Sequence, residues 1–235
     1  MKKLSIILII IGVLVGVSPL IGQLYTKYQE NRLMDEWLDS EDATAIGEEA
    51  VLADPEEGYS QLQEAFAPEE DEEVAEATEA PGQNQAEASA KPVKPAAKQT
   101  VLGIIQIKKI KVKAPIVEGV RASNLKAGVG HIPGSAALGQ PGNSALAGHR
   151  SYTFGRFFNR LDELVIGDEI IITTKKEDLK YKVVKTLVVT PDNVSVLKGN
   201  RNDSIITLIT CTPIYVASHR LIVQARLSEK TLKEP

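Results

Sequence analysis

The spacing of apolar residues divides the chain into three zones. An uncharged apolar run extends from Leu4 to Gly22. Residues 46–100 are poor in apolar residues and rich in Glu, Ala, Gln and Pro, which is typical of a disordered spacer. From Val101 onward, short apolar runs with period-2 stretches are broken by Gly and Pro, as in β-strands joined by turns. The packed part of the protein is therefore predicted to lie in the second half of the chain.

That second half contains many strand candidates and few helix candidates. The strand candidates are VLGIIQIKKIKVKAPIVEG, NSALAG, DEIIITT, LKYKVVKTLVV, SIITLIT and RLIVQARL. A short helix is predicted in SNLKAG, which ends at a glycine. A second helix is predicted in SYTFGRFFNRLDEL, where one face would carry Phe154, Phe157, Phe158 and Leu161. Many short strands with Gly and Pro turns favour a closed or nearly closed β-barrel, an all-β fold with one or two short helices.

Residues 1–22 predict a membrane anchor. Lys2 and Lys3 precede 19 uncharged residues, about the length that an apolar helix needs to cross a bilayer. The two lysines favour a cytoplasmic N-terminus, which places the remainder outside the cell. A cleaved signal peptide is the alternative, although no convincing small-x-small cleavage site follows the run. Both interpretations export the chain.

Charge separates the two halves more strongly than the net charge of −4 indicates. Residues 23–100 contain 20 acidic and 5 basic residues, and residues 101–235 contain 11 acidic and 20 basic residues, giving −15 and +9. The first stretch is predicted to be an acidic extracellular linker, mostly disordered, that acts as a tether. A bolder interpretation is an acidic tail that covers a basic groove. The basic half is lysine-rich and aromatic-poor, which favours an anionic cell surface over nucleic acid.

Cys211 is the only cysteine and ends the strand candidate SIITLITC. Outside the cytoplasm cysteines usually pair, so a single one indicates an intermolecular disulfide, an inert buried thiol or a reactive thiol. A nucleophilic thiol normally works with a histidine. Of His131, His149 and His219, His149 ends the candidate strand NSALAGH, so two strands of one sheet could place it and Cys211 at one rim.

Arg220 follows Cys211 by nine positions, at the head of RLIVQARL. If residues 204–211 and 220–227 form neighbouring antiparallel strands, Cys211 and Arg220 face each other across strands about 4.8 Å apart. A guanidinium offers a planar fork of donors, which suits the oxyanion of a tetrahedral acyl intermediate. Each residue alone also has a structural interpretation, since a buried cysteine is commonly inert and a strand-start arginine is commonly solvated.

These segments resemble the sortase family. TLITC with an arginine nine residues later resembles the sortase signature TLxTC…R, and SALAGHR resembles the family's histidine segment. GVGHIPGSAALGQPGNSALAGHR, followed by an aromatic-rich segment and LDELVIGDEI, matches the family's order. The resemblance covers about residues 101–228, which are expected to be a catalytic domain with the closed eight-stranded sortase-type β-barrel. Residues 229–235 would be a C-terminal tail.

The resemblance also implies the chemistry. Cys211 matches the nucleophile, His149 the general acid/base, and Arg220 the residue that positions substrate and stabilises the oxyanion. The expected reaction cleaves an LPxTG-type sorting signal at the Thr carbonyl through a Cys thioacyl intermediate. A cell-wall amine then accepts the protein.

Further residues and partners follow from the same resemblance. Thr210, Ala147 and His219 are expected to contribute to substrate binding, and His131 is assigned a structural role. No cofactor is expected, and dependence on calcium or magnesium stays open. The expected partners are proteins with C-terminal LPxTG-type signals, a peptidoglycan precursor amine and the membrane, with no nucleic acid. The protein is expected in the cell membrane as a single-pass protein with a cytoplasmic N-terminus. Its catalytic domain would face the cell wall of a Gram-positive-type bacterium.

Within the family, the single anchor and short loops resemble class A or class D, and VVTPDNVSVLKG and the GQPGN turn favour class D, with class A next. A pilin-polymerising sortase is an alternative, but Asp54-Pro55 is followed by Glu56 rather than an aromatic residue, and the chain ends without a hydrophobic tail. An L,D-transpeptidase-like enzyme is disfavoured because no His-Gly precedes Cys211. A non-enzymatic alternative is a membrane-tethered basic β-domain that binds cell-wall polymers.

Overall fold

The computed structural model describes residues 24, 27–40, 53–67, 99–150, 157–214 and 216–233. The strands are β1 (Val101–Ile107), β2 (Val112–Glu118), β3 (Val129–His131), β4 (Gly142–Ala147), β5 (Glu169–Thr173), β6 (Glu177–Val189), β7 (Ser204–Thr212) and β8 (His219–Leu232). The α-helices cover residues 27–39, Pro55–Phe66 and Ala122–Ala127. The 3-10 helices are Lys108–Ile110, Leu161–Glu163 and Val194–Leu197.

Within these ranges no helix combines the length and the apolar character needed to cross a membrane. The predicted anchor, residues 1–22, lies outside the described residues.

The eight strands form a closed barrel in the order β1-β2-β3-β4-β7-β8-β6-β5, and β5 pairs with β1 to complete it. Two pairs are parallel, β2 with β3 and β4 with β7, and the other pairs are antiparallel. The prediction of a closed β-barrel is therefore confirmed. The order has a direct consequence for chemistry, because β7 lies between β4 and β8.

Strand β7 buries both of its faces, which explains the continuous apolar run SIITLIT in the sequence. Ile206 and Leu208 belong to the core inside the barrel. Ile209 and Cys211 alternate with them and belong to a second buried cluster on the outer face. The helix Pro55–Phe66, here called the cover helix, supplies three side chains to that second cluster: Tyr59, Leu62 and Phe66.

The cover helix has local signals for its start and its packed face. Asp54 caps it by accepting a hydrogen bond from the Glu56 N–H at 2.9 Å, and Pro55 occupies the first helical position. Gly58 allows close approach to the barrel, because a Cβ there would lie 2.8 Å from Ile132 Cγ2 and 2.9 Å from the Pro133 carbonyl oxygen. The composition of this stretch predicts an acidic spacer, so this helix is a difference from the prediction.

The two short helices predicted in the second half had different outcomes. Ala122–Ala127 is helical and ends at Gly128, as expected for SNLKAG. The aromatic segment differs over its described part, since residues 157–160 form turns and Leu161–Glu163 is a 3-10 helix; residues 151–156 lie outside the described residues. Phe157 has a φ of 44°, which interrupts any α-helix at that point. Phe157, Phe158 and Leu161 are nevertheless buried in the barrel core, while Phe154 lies outside the described residues.

Candidate active site

Cys211 and Arg220 are direct partners across β7 and β8. Residues that pair in an antiparallel ladder point to the same face, so both side chains lie on the outer face of the barrel. Cys211 is 8% exposed and Arg220 is 5% exposed. The hairpin register predicted from the nine-residue spacing is therefore present.

His149 approaches from the other neighbour of β7. In the parallel β4–β7 pair, Ala147 is opposite Ile209, and the Gly148 N–H donates to the Ile209 carbonyl at 3.1 Å. Continuing that register by two residues places His149 beside Cys211. Three adjacent strands thus bring the histidine, the cysteine and the arginine together in that order, with the sulfur in the middle.

Burial and nearby positive charge have opposite effects on the pKa of the Cys211 thiol. Burial raises the pKa of the Cys211 thiol, because an apolar environment disfavours the thiolate. The positive charges of Arg220 and then Arg150 act in the opposite direction and lower this pKa. The thiol is free in the sense that it forms no disulfide. The thiolate at this site therefore depends on neighbouring cations.

The guanidinium of Arg220 is held from two sides. Its Nη1 donates to the carbonyl oxygens of Ala217, at 2.7 Å, in the connection before β8, and of His219, at 3.0 Å, the first residue of β8. Its Nε donates to Oε1 of Gln63 on the cover helix at 2.8 Å. The carboxamide of Gln63 has the same acceptor chemistry as a peptide carbonyl. The barrel therefore orients the arginine, and the cover helix engages one of its hydrogen-bond donors.

Phe66, the last residue of the cover helix, lies between the two basic groups. Its ring centroid is 5.4 Å from the His149 ring centroid, with the planes tilted by 54°. The guanidinium carbon of Arg220 lies 5.4 Å from the same ring, a distance at which a cation interacts with an aromatic face. The cover helix therefore closes this site directly.

Beneath the cover helix lies an apolar groove on the outer face of the barrel. Its floor and wall come from β4, β7, β8 and the 3-10 helix Val194–Leu197, and its buried members include Ala145, Ala147, Ile209, Ile222, Val196 and Leu197. Asn143 fixes the wall, because its side-chain NH2 donates to the Val196 carbonyl at 2.9 Å. The side-chain Oδ1 of Asn143 accepts a hydrogen bond from the Thr207 hydroxyl at 2.7 Å. The groove thus has a hydrogen-bonded frame and is covered by the helix.

The remaining predicted site residues have distinct positions. Ala147 is fully buried and belongs to the groove under the cover helix. Thr210 is also fully buried, and its hydroxyl donates to the Gly148 carbonyl at 2.7 Å, so it supports the residue before His149. His219 is exposed, and its Nδ1 lies 2.9 Å from the Ser218 hydroxyl. Their contribution to substrate binding stays a prediction.

His131 lies apart from these residues on β3. Its Nδ1 is 2.9 Å from Oε2 of Glu118, and its Nε2 is 3.0 Å from the Ala136 carbonyl oxygen. The side chain is 1% exposed. These contacts connect β2, β3 and the following loop, in agreement with a structural role.

Sequence reasoning missed three residues at the site: Gln63, Phe66 and Arg150. The cover helix did carry a signal, since Tyr59, Leu62 and Phe66 are spaced as one helix face within an otherwise acidic stretch. Arg150 stands next to His149 in SALAGHR, but nothing in that spacing shows where its side chain goes.

Comparison with known proteins agrees with this architecture. The family model described as "Sortase domain" matches residues 105–228. Sortase D of Bacillus subtilis is 35% identical over 111 residues, which cover 47% of this chain and 54% of that protein. The chain therefore matches about half the length of this curated relative.

Two solved structures are also similar. Sortase A from Corynebacterium diphtheriae has a TM-score of 0.54 and 36% identity, covering 57% of this chain and 63% of that one. A Clostridium perfringens sortase D5 transpeptidase has a TM-score of 0.51 and 34% identity, covering 55% and 79%. The closed barrel, the arrangement of the site and the family match over more than half of the chain together show that this chain belongs to the sortase family of cysteine transpeptidases.

Proposed function

We propose that this protein cleaves LPxTG-type sorting signals and transfers the cleaved protein to a cell-wall amine. Cys211 is the nucleophile, His149 the general acid/base, and Arg220 the group that stabilises the oxyanion. The observation that carries the proposal is the order of strands β4, β7 and β8, which places an imidazole and a guanidinium on either side of the only thiol.

The proposed reaction has two acyl-transfer steps. The Cys211 sulfur attacks the Thr carbonyl carbon, and the oxyanion of the tetrahedral intermediate receives hydrogen bonds from Arg220. The Thr–Gly bond breaks, and His149 gives a proton to the departing glycine amine. The acceptor amine then attacks the carbonyl carbon of the thioester, and His149 removes a proton from the amine. The bond between this carbon and the Cys211 sulfur breaks, so the new amide forms and the thiol is regenerated.

The groove supports a peptide substrate. Its apolar floor suits the Leu and Pro side chains of a sorting signal. The Gln63 carboxamide, which accepts from Arg220, occupies a place that a peptide carbonyl could take. Since Cys211 is buried under the cover helix, a peptide reaches the sulfur only after the cover helix has moved.

The cellular setting belongs to the same proposal. We infer that the protein is held in the membrane by its N-terminal segment, with the barrel facing the cell wall. A peptidoglycan precursor supplies the amine. We infer a class D-type or class A-type transpeptidase, since sortase D and sortase A are among its relatives, and a pilin polymerase remains the alternative because pilus-related sortase C structures are similar as well. The identity of the sorting pentapeptide separates these classes in the experiment that follows.

A peptide-panel assay on the full-length protein tests the proposal. Sorting peptides that differ at each variable position are incubated with candidate amines, and mass spectrometry detects the cleaved peptide, the thioacyl enzyme and the amide product. Wild-type protein is expected to form all three, and Cys211→Ala none. His149→Ala is expected to lose nearly all turnover, whereas the matched loss of an exposed imidazole in His219→Ala changes KM at most.

Two results would contradict the proposal. One is equal cleavage by wild-type protein and Cys211→Ala. The other is absence of cleavage for every peptide in both the wild type and Phe66→Ala, a variant in which the cover helix has lost its contact with His149. The latter outcome favours the non-enzymatic wall-binding alternative.

A further inference from the structure

Arg150 is a buried cation next to the candidate active site that the reaction described above does not use. Its side chain is only 7% exposed, although it follows His149 in the loop after β4. A buried guanidinium requires acceptors for its donors, because an unpaired buried charge is strongly unfavourable. Its partners therefore show what the residue holds together.

The three nitrogens of this guanidinium reach three different places. Nη1 donates to the Thr212 hydroxyl at 2.8 Å, in the residue directly after Cys211. Nη2 lies 2.9 Å from Oδ1 of Asp162, and Nε donates to the Asn159 carbonyl at 3.3 Å. Arg150 thus connects the exit of β4, the end of β7 and the turn before β5.

This connection lies where the backbone ladder ends. The last β4–β7 backbone hydrogen bond described above joins Gly148 to Ile209. Gly148 directly precedes His149, and Ile209 lies two residues before Cys211. Beyond it, the contact from Arg150 to Thr212 spans the same two segments. The Phe158 N–H also donates to the His149 carbonyl, at 3.3 Å, so the turn that binds Arg150 also contacts His149.

The charge of Arg150 is fixed as well as its position. Because each nitrogen of the guanidinium has an acceptor, its rotation is restricted. Asp162 is 55% exposed, so water screens the negative partner more than the buried positive group. The groups that surround the Cys211 thiol are Arg220 from β8, Arg150 and His149 from the β4 exit, and Tyr59 from the cover helix.

We propose that Arg150 is a positioning residue for the transfer reaction: it fixes His149 and Cys211 relative to each other and holds a second positive charge at Thr212, the residue that follows Cys211. Arg220 remains the group that contacts the reacting carbonyl, and Arg150 acts through its neighbours. The inference rests on the proposed function for the kinetic part of its test. A second part requires no peptide and stands on its own.

The kinetic part compares four full-length variants with wild type on a cleavable peptide. Arg150→Gln removes the charge and the fork, and kcat is expected to fall at least about tenfold with KM changed less than about twofold. Arg150→Lys keeps a cation without the fork, and Thr212→Val removes one acceptor; both are expected to lower kcat less. Arg160→Gln is the matched control, because Arg160 lies in the neighbouring turn and pairs with exposed Glu163. Its kcat should equal that of wild type.

The substrate-free part measures alkylation of Cys211 by iodoacetamide as a function of pH. Loss of a cation raises the thiol pKa, so Arg150→Gln should shift the midpoint upward. Thr212→Val and Arg160→Gln should leave the midpoint unchanged. The effect of His149→Ala on the alkylation rate reports coupling between imidazole and thiol, and this effect should shrink in the Arg150→Gln background.

Thermal unfolding of each variant separates positioning from general destabilisation. The proposal is overturned if Arg150→Gln keeps the wild-type kcat, or if its His149 coupling is unchanged. An unshifted alkylation midpoint overturns the electrostatic part. If Arg150→Gln does not fold, kcat and the His149 coupling of Arg150→Lys and Thr212→Val decide, and wild-type values of both quantities in both variants overturn the proposal. If wild-type protein cleaves no peptide, the proposed function fails while the alkylation data still test Arg150.

Discussion

At the scale of single residues, Arg220 shows why the identity of a cation matters. Its Nε and Nη1 donate in different directions, to Gln63 on the cover helix and to two carbonyls at the start of β8. An ammonium is a point charge on a flexible stem and cannot hold both directions at once. The orientation of the donors, and not the charge alone, therefore defines this position.

Arg220→Lys is predicted to lose turnover while remaining folded. Removal of one well-aimed oxyanion donor in other enzymes lowers kcat by roughly 10²- to 10³-fold, and a similar loss is expected here. Steady-state cleavage of a sorting peptide measures it, with circular dichroism as the check on folding. Turnover within twofold of wild type would exclude the oxyanion role.

Tyr181 provides a residue-scale prediction about pH. Burial raises the pKa of its phenol to about 12, against a small opposing contribution from the Gly139 N–H, which donates to the phenol oxygen at 3.0 Å. Below pH 10 the phenol is protonated in both the folded and unfolded states. Between pH 10 and about 12 the unfolded state loses this proton first, so the folded state becomes relatively less stable.

The comparison with Tyr181→Phe isolates this effect. At neutral pH the variant should be less stable by about 1 kcal/mol, because the Gly139 N–H loses its acceptor. Near pH 12 that difference should vanish or reverse, since only the wild type carries the phenol. Urea unfolding at several pH values measures the free energy of unfolding, and a constant difference from pH 8 to 12 would contradict the assignment.

At the scale of elements, the sequence predicted the strands that build the site better than the helix that covers it. The β7–β8 register followed from the position of Cys211 at the end of one apolar run and Arg220 at the head of the next. The parallel partner β4 was predicted to bring His149 to the same rim, although its direct adjacency to β7 depends on the closed order of the barrel. Local patterns specify strands, while strand order depends on the whole fold.

The cover helix escaped prediction for a physical reason. Its three buried apolar residues are stable as a face only when the groove on β4, β7 and β8 is present. In sequence they lie among acidic residues whose composition is typical of a spacer. The aromatic segment gave the opposite error, because Phe157, Phe158 and Leu161 are buried with a helical spacing but without an α-helix. Burial of these side chains explains their helical spacing in the sequence, while the positive φ of Phe157 is incompatible with an α-helix at that position.

Gly58→Ala is predicted to loosen the cover helix even though alanine favours helices. A Cβ at this position would lie 2.9 Å from the backbone oxygen of Pro133, which cannot move as a side chain can. The displaced helix should expose Cys211, and alkylation by iodoacetamide should accelerate roughly 3- to 10-fold. A loss of about 1.4 kcal/mol in the free energy of helix docking corresponds to a factor of ten in the exposed population.

Ser60→Ala is the matched control for this prediction. Ser60 is exposed on the same helix, so the substitution raises helix propensity without a clash against the barrel. Alkylation in this variant should not exceed the wild-type rate. An unchanged rate in Gly58→Ala would mean that docking of the cover helix does not limit access to the sulfur.

At the scale of the whole molecule, the acidic first half and the basic barrel raise the question of what holds them together. The sequence allowed an acidic tail over a basic groove. The contact that the structure shows between Pro55–Phe66 and the barrel includes the apolar side chains of Tyr59, Leu62 and Phe66 and the neutral side chain of Gln63. Apolar contacts respond weakly to ionic strength, whereas contacts between exposed charges are screened.

Salt should therefore leave access to Cys211 nearly unchanged. Raising sodium chloride from roughly 0.05 M to 0.5 M shortens the Debye length about threefold, yet the alkylation rate is expected to change less than about twofold. The measurement uses the full-length protein at constant pH, with free cysteine as the control for the reagent. A steep acceleration with salt would show that charge attraction holds the cover helix.

The covalent link between the cover helix and the barrel has one more consequence. Because 34 residues separate Phe66 from Val101, the helix is a tethered competitor whose effective concentration is set by the tether and not by the amount of protein. Dilution cannot release such a competitor, so apparent peptide affinities measured on the intact chain will be weaker than the intrinsic affinity of the groove.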